Sequence, residues 1–254
     1  YARDRKRFIL FGSGRTVDTE TRRRRARSLL ESLLTLGPTF IKLGQLLSTR
    51  PDVLPPEYIE EFEELQDRVP PAEWTDAKRV LEEELGPVEE SFDEFDTDAI
   101  SGASLGQVHV AELDGEQVAV KIRRPGVESL VEADLWVIST LLPLLMRFVD
   151  DSRSFSMETL ANEFSRVIRD EMDYRREREM LREIRANFEG DDRLRIPDVY
   201  EDRSTDRVLT MEYVPGTKIN DIDSLDDLDV DRTRLAETLQ RVYLQMIVDD
   251  GVFH

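Results

Sequence analysis

Apolar residues recur at helical spacing over the first third of the chain and then switch to alternation. Residues 22–36 set Leu29, Leu30, Leu33 and Leu36 on one face and predict a helix. Gly37-Pro38 ends it and opens a second, roughly Thr39–Thr49, carrying Phe40, Ile41, Leu43, Leu46 and Leu47. Pro51, Pro55 and Pro56 make a rigid turn; Glu57–Gln66 and Thr75–Leu85 read as further helices, closed by Gly86-Pro87. From about Ser91 short strand patterns appear at Phe92–Ile100, Val108–Leu113 and Gln117–Ile122. Long helical stretches, Val127–Val149 and Met157–Phe188, come next. Strands near Asp198–Asp202 and Arg207–Tyr213 precede a break at Val214-Pro215-Gly216. An acidic loop, Asp221–Asp231, leads into a last helix at about Asp231–Asp249.

The strand at Gln117–Ile122 carries the most telling polar position. Val118, Val120 and Ile122 alternate onto one face, and Gln117, Ala119 and Lys121 onto the other. Asp114-Gly115 is a hairpin turn signal that pairs this strand with the run Gln107–Leu113. Kinase-type phosphoryl-transfer enzymes anchor nucleotide phosphates with a lysine on such a strand, although a strand lysine by itself is usually only solvated. Upstream, Ser101-Gly102-Ala103-Ser104-Leu105-Gly106 is a small-residue turn whose backbone N–H groups can approach a phosphate closely; it also reads as a plain tight turn. Downstream, a continuous helix sets Asp173 and Glu177 on one face with Glu171 less than a turn away. Either one of these carboxylates holds Lys121, or the three form an ordinary charged helix surface of the kind found all along this chain. Val208 to Gly216 is a strand running into a break, the form of a hinge between kinase lobes. Met211 lines the pocket there, and the backbone reads an adenine edge. Ordinary core packing accounts for Met211 equally well.

Three strands, helices, two strands, a linker and a helix give an α+β, protein-kinase-like fold with an N-terminal helical extension. The boundaries read as 1–90 for the extension, 91–214 for the small lobe and 215–254 for the start of the large lobe.

Composition narrows the function. Hydrophobic residues make up 39% and charged residues 35% of 254 positions. The chain has no cysteine, which excludes thiolate and disulfide chemistry. It has no apolar run of membrane-spanning length and no signal peptide, so a cytoplasmic location, peripheral to a membrane, is expected, with a membrane anchor open to the full-length protein. The net charge is −20, built from 30 Arg and 5 Lys against 27 Asp and 28 Glu. Such an acidic, lysine-poor surface suits concentrated salt and points to a halophilic source. Residues 1–50 differ, with 12 basic and 4 acidic side chains; Arg22, Arg23, Arg24, Arg25 and Arg27 lie together. They read either as a solvated helix start or as a contact for an anionic membrane surface or acidic partner. Nucleic acid is disfavoured, because the rest of the chain repels it. Tyr1 at one end and a turn entering an apolar strand at the other read as part of a longer protein.

Several motifs, in order, resemble those of UbiB-type atypical kinases, also called the aarF-domain or ADCK family. Phe40-Ile41-Lys42-Leu43-Gly44-Gln45 resembles the family's K-x-G-Q segment, Ala103–His109 its alanine-rich loop and following strand, and Glu171-x-Asp173-Tyr174 its E-x-D motif. Glu177 then matches the helix glutamate that pairs with the strand lysine, Lys121. The resemblance runs from about residue 20 to the end. It implies binding of ATP (or ADP) with Mg2+ and phosphoryl transfer or ATP hydrolysis linked to isoprenoid-quinone lipid synthesis. Lys121 and Glu177 would be catalytic. The nucleotide would meet Ser101, Gly102, Ala103, Ser104, Leu105, Gly106, Gln107, Val108, Ala119, Lys121, Met211, Glu212, Tyr213 and Val214. Lys42, Gln45, Glu171 and Asp173 would gate the site, and Gly44 would permit close packing. Ser101 and Gly102 replace alanines usual in the family, so ATP and ADP both stay candidates. Gly251–His254 resembles the opening of the H-x-D catalytic loop, with His254 its first member, so the metal-binding residues of the family are not expected within this chain. Expected partners are nucleotide, isoprenoid lipid, an anionic membrane and quinone-biosynthesis proteins. The alternatives are a pseudokinase-like scaffold and, against the K-x-G-Q segment, a small-molecule phosphotransferase.

Overall fold

A computed structural model describes residues 18–51, 54–66, 71–146, 151–219 and 221–252. The chain forms two compact units. One holds the chain up to Val80 with Thr97–Val108 and Ile122–Met172; the other holds Leu81–Asp96, His109–Lys121 and the chain from Asp173 on.

The first unit is mainly helical. Helix α1, Thr19–Leu36, begins where Asp18 accepts a hydrogen bond from the Thr21 amide at 2.8 Å. It ends at Gly37, whose φ of +100° suits glycine and turns the chain directly into α2, Pro38–Ser48. Helix α3, Pro56–Glu63, packs on both, and a 3-10 turn, Glu64–Gln66, comes after it. Their apolar faces meet in a core of Ala26, Leu30, Leu33, Ile41, Leu54, Tyr58, Phe62 and Leu65. Helix α4 is Trp74–Leu85, α5 is Val88–Ser91, and the short strands β1 and β2 are Glu94–Phe95 and Ser101–Gly102. Strands β3, Gly106–Leu113, and β4, Glu116–Arg123, form a hairpin across Asp114-Gly115. Both turn residues have positive φ (+53° and +79°), as the Asp-Gly signal predicts. Helices α6, Val127–Met146, and α7, Asp151–Met172, come next. A second core in this unit joins Leu105, Val127, Val131, Leu135, Phe164, Ile168 and Met172.

The second unit carries β1, most of β3 and β4, and β5, Val208–Glu212, hydrogen-bonded in the order β1-β3-β4-β5. Helix α8, Tyr174–Asn187, lies beside β5. Helix α9 is Ile222–Asp227, and α10, Arg232–Leu244, runs on into a π-helical turn, Gln245–Asp250. Ile184, Phe188, Val242 and Met246 form the core between α8 and the chain's last helical segment.

Several expectations are corrected. The predicted strand Phe92–Ile100 survives as Glu94–Phe95 only. Asp96 N–H donates to Val110 O and Ile100 N–H to Val108 O, so two extra residues loop out between those bonds. The predicted single helix Met157–Phe188 is two, broken at Asp173. The predicted strand at Asp198–Asp202 reduces to one bridge, Val199 to Met211, then a 3-10 turn, Glu201–Arg203. Pro197 before it has no N–H for a ladder. The acidic stretch is not a plain loop: Asp221 caps α9 and Asp231 caps α10.

Candidate functional site

Lys121 projects from β4 toward α8, and Glu177 in the first turn of α8 meets it. The ammonium Nζ lies 2.9 Å and 2.6 Å from the two carboxylate oxygens. The pair is half-buried, with 24% and 21% of the two side chains exposed. Tyr174, three residues before Glu177 and thus on the same helix face, puts its ring under the ammonium at 4.8 Å from the centroid. Sequence reasoning singled out Glu177 and missed the role open to Tyr174; the i, i+3 spacing was the available signal.

Local capping fixes where α8 begins. Asp173 is extended (φ −104°, ψ 95°), and its carboxylate accepts from the Arg175 amide. It also pairs with the Arg175 guanidinium at 2.9 Å, which raises the arginine's affinity for its proton. The Tyr174 amide donates to Asp206 O at 3.1 Å, tying the start of α8 to the turn before β5. The expectation that Asp173 and Glu177 share a face of one continuous helix is therefore corrected. Asp173 is a cap, and of the three acids at 171, 173 and 177 it is Glu177 that pairs with Lys121.

Around β5, the Glu212 amide donates to Asp198 O and the Tyr213 amide to Gln117 O. The Glu212 carboxylate is engaged by Arg195. Met211 is partly buried and bridges Val199, while Ala119 is buried on β4. Val214, 38% exposed, comes after the strand, and its amide makes no backbone hydrogen bond among the described residues. An N–H at that point is available to a ligand. Nearby, Tyr200 donates its phenolic proton to Glu116 at 2.8 Å; the bond to this carboxylate and burial raise its pKa to about 12. A cleft of about 820 Å3 opens beside the second half of α8, lined in part by Leu181, Phe188, Leu194 and Ile196. Its arginines Arg182, Arg185 and Arg195 are tied to Glu201, Asp198 and Glu212.

The remaining candidates lie in the first unit. Lys42 on α2 pairs with Glu171 on α7. Gln45 donates through Nε2 to Leu65 O at 3.0 Å. Lys42 and Gln45 are thus both engaged within their own unit, one by a carboxylate and one by a backbone carbonyl. Gly44 is buried, and a Cβ there would overlap Leu65 Cδ1 and come within 2.9 Å of Leu33 Cδ1. The small-residue turn is a hairpin: Ser101 pairs with Val108 and Gly102 with Gln107. It is pinned by an Ala103 N–H to Gly106 O bond, by Arg124 Nε donating to Ala103 O, and by Gln107 Oε1 accepting the Ala72 amide. Ser104 and Leu105 are buried, Leu105 in the apolar core. Arg124 and Ala72 were not foreseen; a backbone–side-chain bond leaves no periodic signal. His254 lies outside the described residues.

Residues 64–254 match the ABC1 atypical kinase-like domain. The chain belongs to that family. Protein ACTIVITY OF BC1 COMPLEX KINASE 8, chloroplastic, of Arabidopsis thaliana is 42% identical over 254 residues, covering 98% of this chain and 33% of that protein. The probable protein kinase UbiB of Aeromonas salmonicida is 40% identical over 222 residues, 86% of this chain and 41% of that protein. Among solved structures, Rv3197 of Mycobacterium tuberculosis, in complex with erythromycin, matches with a TM-score of 0.53 and 29% identity. The match covers 80% of this chain and 51% of that one. The chain spans about a third to two fifths of the curated relatives just named. The α+β, kinase-like architecture follows from this membership and from the sheet and helices described above. Among the described residues no helix is long and apolar enough to cross a membrane, and no three His, Cys, Asp or Glu side chains gather to hold a metal ion.

Proposed function

We propose that this chain carries the nucleotide anchor of an ATP-using atypical kinase or ATPase. The observation that carries the reading is the bidentate Lys121–Glu177 pair between β4 and the first turn of α8, in a member of the ABC1 atypical kinase-like family. Lys121 holds the α- and β-phosphates, as a compact cation on a flexible stem can, and Glu177 orients it. The Val214 amide and the backbone at Glu212 meet the adenine edge, with Met211 beside the base and Ala119 on the strand under it. Magnesium, when bound with the nucleotide, neutralises developing charge on the phosphates; none of the described residues is assigned to it. The full protein's reaction is phosphoryl transfer or ATP hydrolysis serving isoprenoid-quinone lipid synthesis, a reading supported by the relatives named UbiB. An anionic membrane surface is the proposed place of action. Arg24 and Arg27 on α1 are exposed and suit that contact, whereas Arg22 and Arg23 are paired with Glu57 and Glu60.

The test is magnesium-dependent ATP hydrolysis by the full protein in high KCl, with and without anionic liposomes, for wild type and Lys121→Met. Turnover that requires Lys121 supports the enzyme, and stimulation by liposomes supports the lipid role. A folded wild type without turnover under any of these conditions moves the assignment to a pseudokinase-like scaffold.

A further inference from the structure

We infer that Tyr174 is a positioning residue for Lys121: its ring face and the Glu177 carboxylate, supplied by one turn of α8, hold the ammonium group from two directions and set where it meets a nucleotide phosphate. The inference rests on the reading of Lys121 as the phosphate anchor. Its observations are geometric. The ring lies 4.8 Å from Nζ, and Tyr174 is only 1% exposed, so the ring is itself fixed by its surroundings. The Tyr174 amide is held by Asp206 O, which fixes the backbone from which the ring projects.

A carboxylate alone is an incomplete clamp for a lysine. It draws the charge, but it also competes with an arriving phosphate for the same N–H donors. Glu177 has two oxygens on Nζ and engages at most two of the three N–H groups. An aromatic face attracts the charge through its quadrupole and holds an N–H far more weakly than an oxygen acceptor does, so a phosphate can take it over. It therefore steadies the ammonium group while leaving an N–H for a phosphate oxygen. The ring is also neutral, so it adds no repulsion against an incoming anion.

A leucine at 174 risks misfolding at so buried a position, so the decisive series keeps the ring and changes only its face. Tyr174 is replaced in the full protein by phenylalanine and then by phenylalanines bearing one, two and three ring fluorines, which drain the negative face at nearly constant volume. Binding of methylanthraniloyl-ATP and turnover of magnesium–ATP are measured for each, in wild-type and Lys121→Met backgrounds. The expected result is a stepwise loss of nucleotide affinity across the series, about threefold to thirtyfold in all. The effect should fall on KM more than on kcat, and the series should be flat in the Lys121→Met background. A flat series with Lys121 present overturns the inference, as does an equal slope without Lys121, which would mark a merely structural role. Undiminished nucleotide binding by Lys121→Met alone strikes instead at the anchor reading beneath it.

Discussion

Gly44→Ala sets two opposed effects of known size against each other. In an exposed helix interior, alanine for glycine stabilises by about 1 kcal/mol, because glycine loses more backbone freedom on folding. Gly44, in the seventh position of the 11-residue α2, is not exposed. Its added methyl would overlap Leu65 Cδ1 and approach Leu33 Cδ1 at 2.9 Å. Both leucines belong to the packed core of the first unit, at 0% and 6% exposure, so neither side chain can swing into solvent. Forcing a methyl into such a core costs about 1–3 kcal/mol. The balance is a net loss of about 1 kcal/mol, or a Tm lower by about 2–4 °C for a chain of this size. Displacing Leu65 also strains the bond from Gln45 to its carbonyl. The assay is thermal unfolding at fixed KCl, with Gly216→Ala as control, since nothing lies within 4 Å of a Cβ there. Leu65→Val removes the overlapping atom, and in that background the cost of Gly44→Ala should shrink, with only the approach to Leu33 Cδ1 left. A Tm raised by Gly44→Ala in the otherwise wild-type chain would refute the reasoning.

Asp173→Ala removes the cap of α8 and should cost about 1 kcal/mol in thermal unfolding, while Asp173→Asn, still able to accept the Arg175 amide, should keep most of it. Glu171→Gln, which loosens Lys42 instead, should leave that cap untouched. Tyr200 should ionise with a midpoint of about pH 12 in the folded protein, against an ordinary value of 10.0. Because the folded state raises this pKa, its stabilisation is complete below pH 10 and is lost as pH rises from there toward 12; phenolate absorbance, compared with Tyr200→Phe, reads the titration. With a net charge of −20, KCl should raise the unfolding midpoint as the Debye length falls from about 10 Å at 0.1 M to about 3 Å at 1 M. A midpoint indifferent to KCl would count against a halophilic adaptation.

Where information is local, the amino-acid sequence alone was enough. The Asp114-Gly115 hairpin, the strand position of Lys121, the Gly37-Pro38 junction and the apolar faces of α1 to α3 all come from turn chemistry and periodicity, because backbone sterics and side-chain spacing act over a few residues. Periodicity failed where a distant group competes with the local pattern. The residues around Asp173 are good helix formers, yet the helix breaks there. The Tyr174 amide finds Asp206 O, far along the chain, and the Asp173 carboxylate turns to cap α8. That break sorts the three neighbouring acids: Glu171 goes to Lys42, Asp173 to the helix end, and Glu177 to Lys121. Spacing along one chain cannot make that assignment. An ion pair forms where folding brings opposite charges together, and in a chain with 55 acidic side chains the choice among them belongs to packing. The same holds for the ring of Tyr174 beneath Lys121 and for Leu105, which seats a turn of small residues in an apolar core.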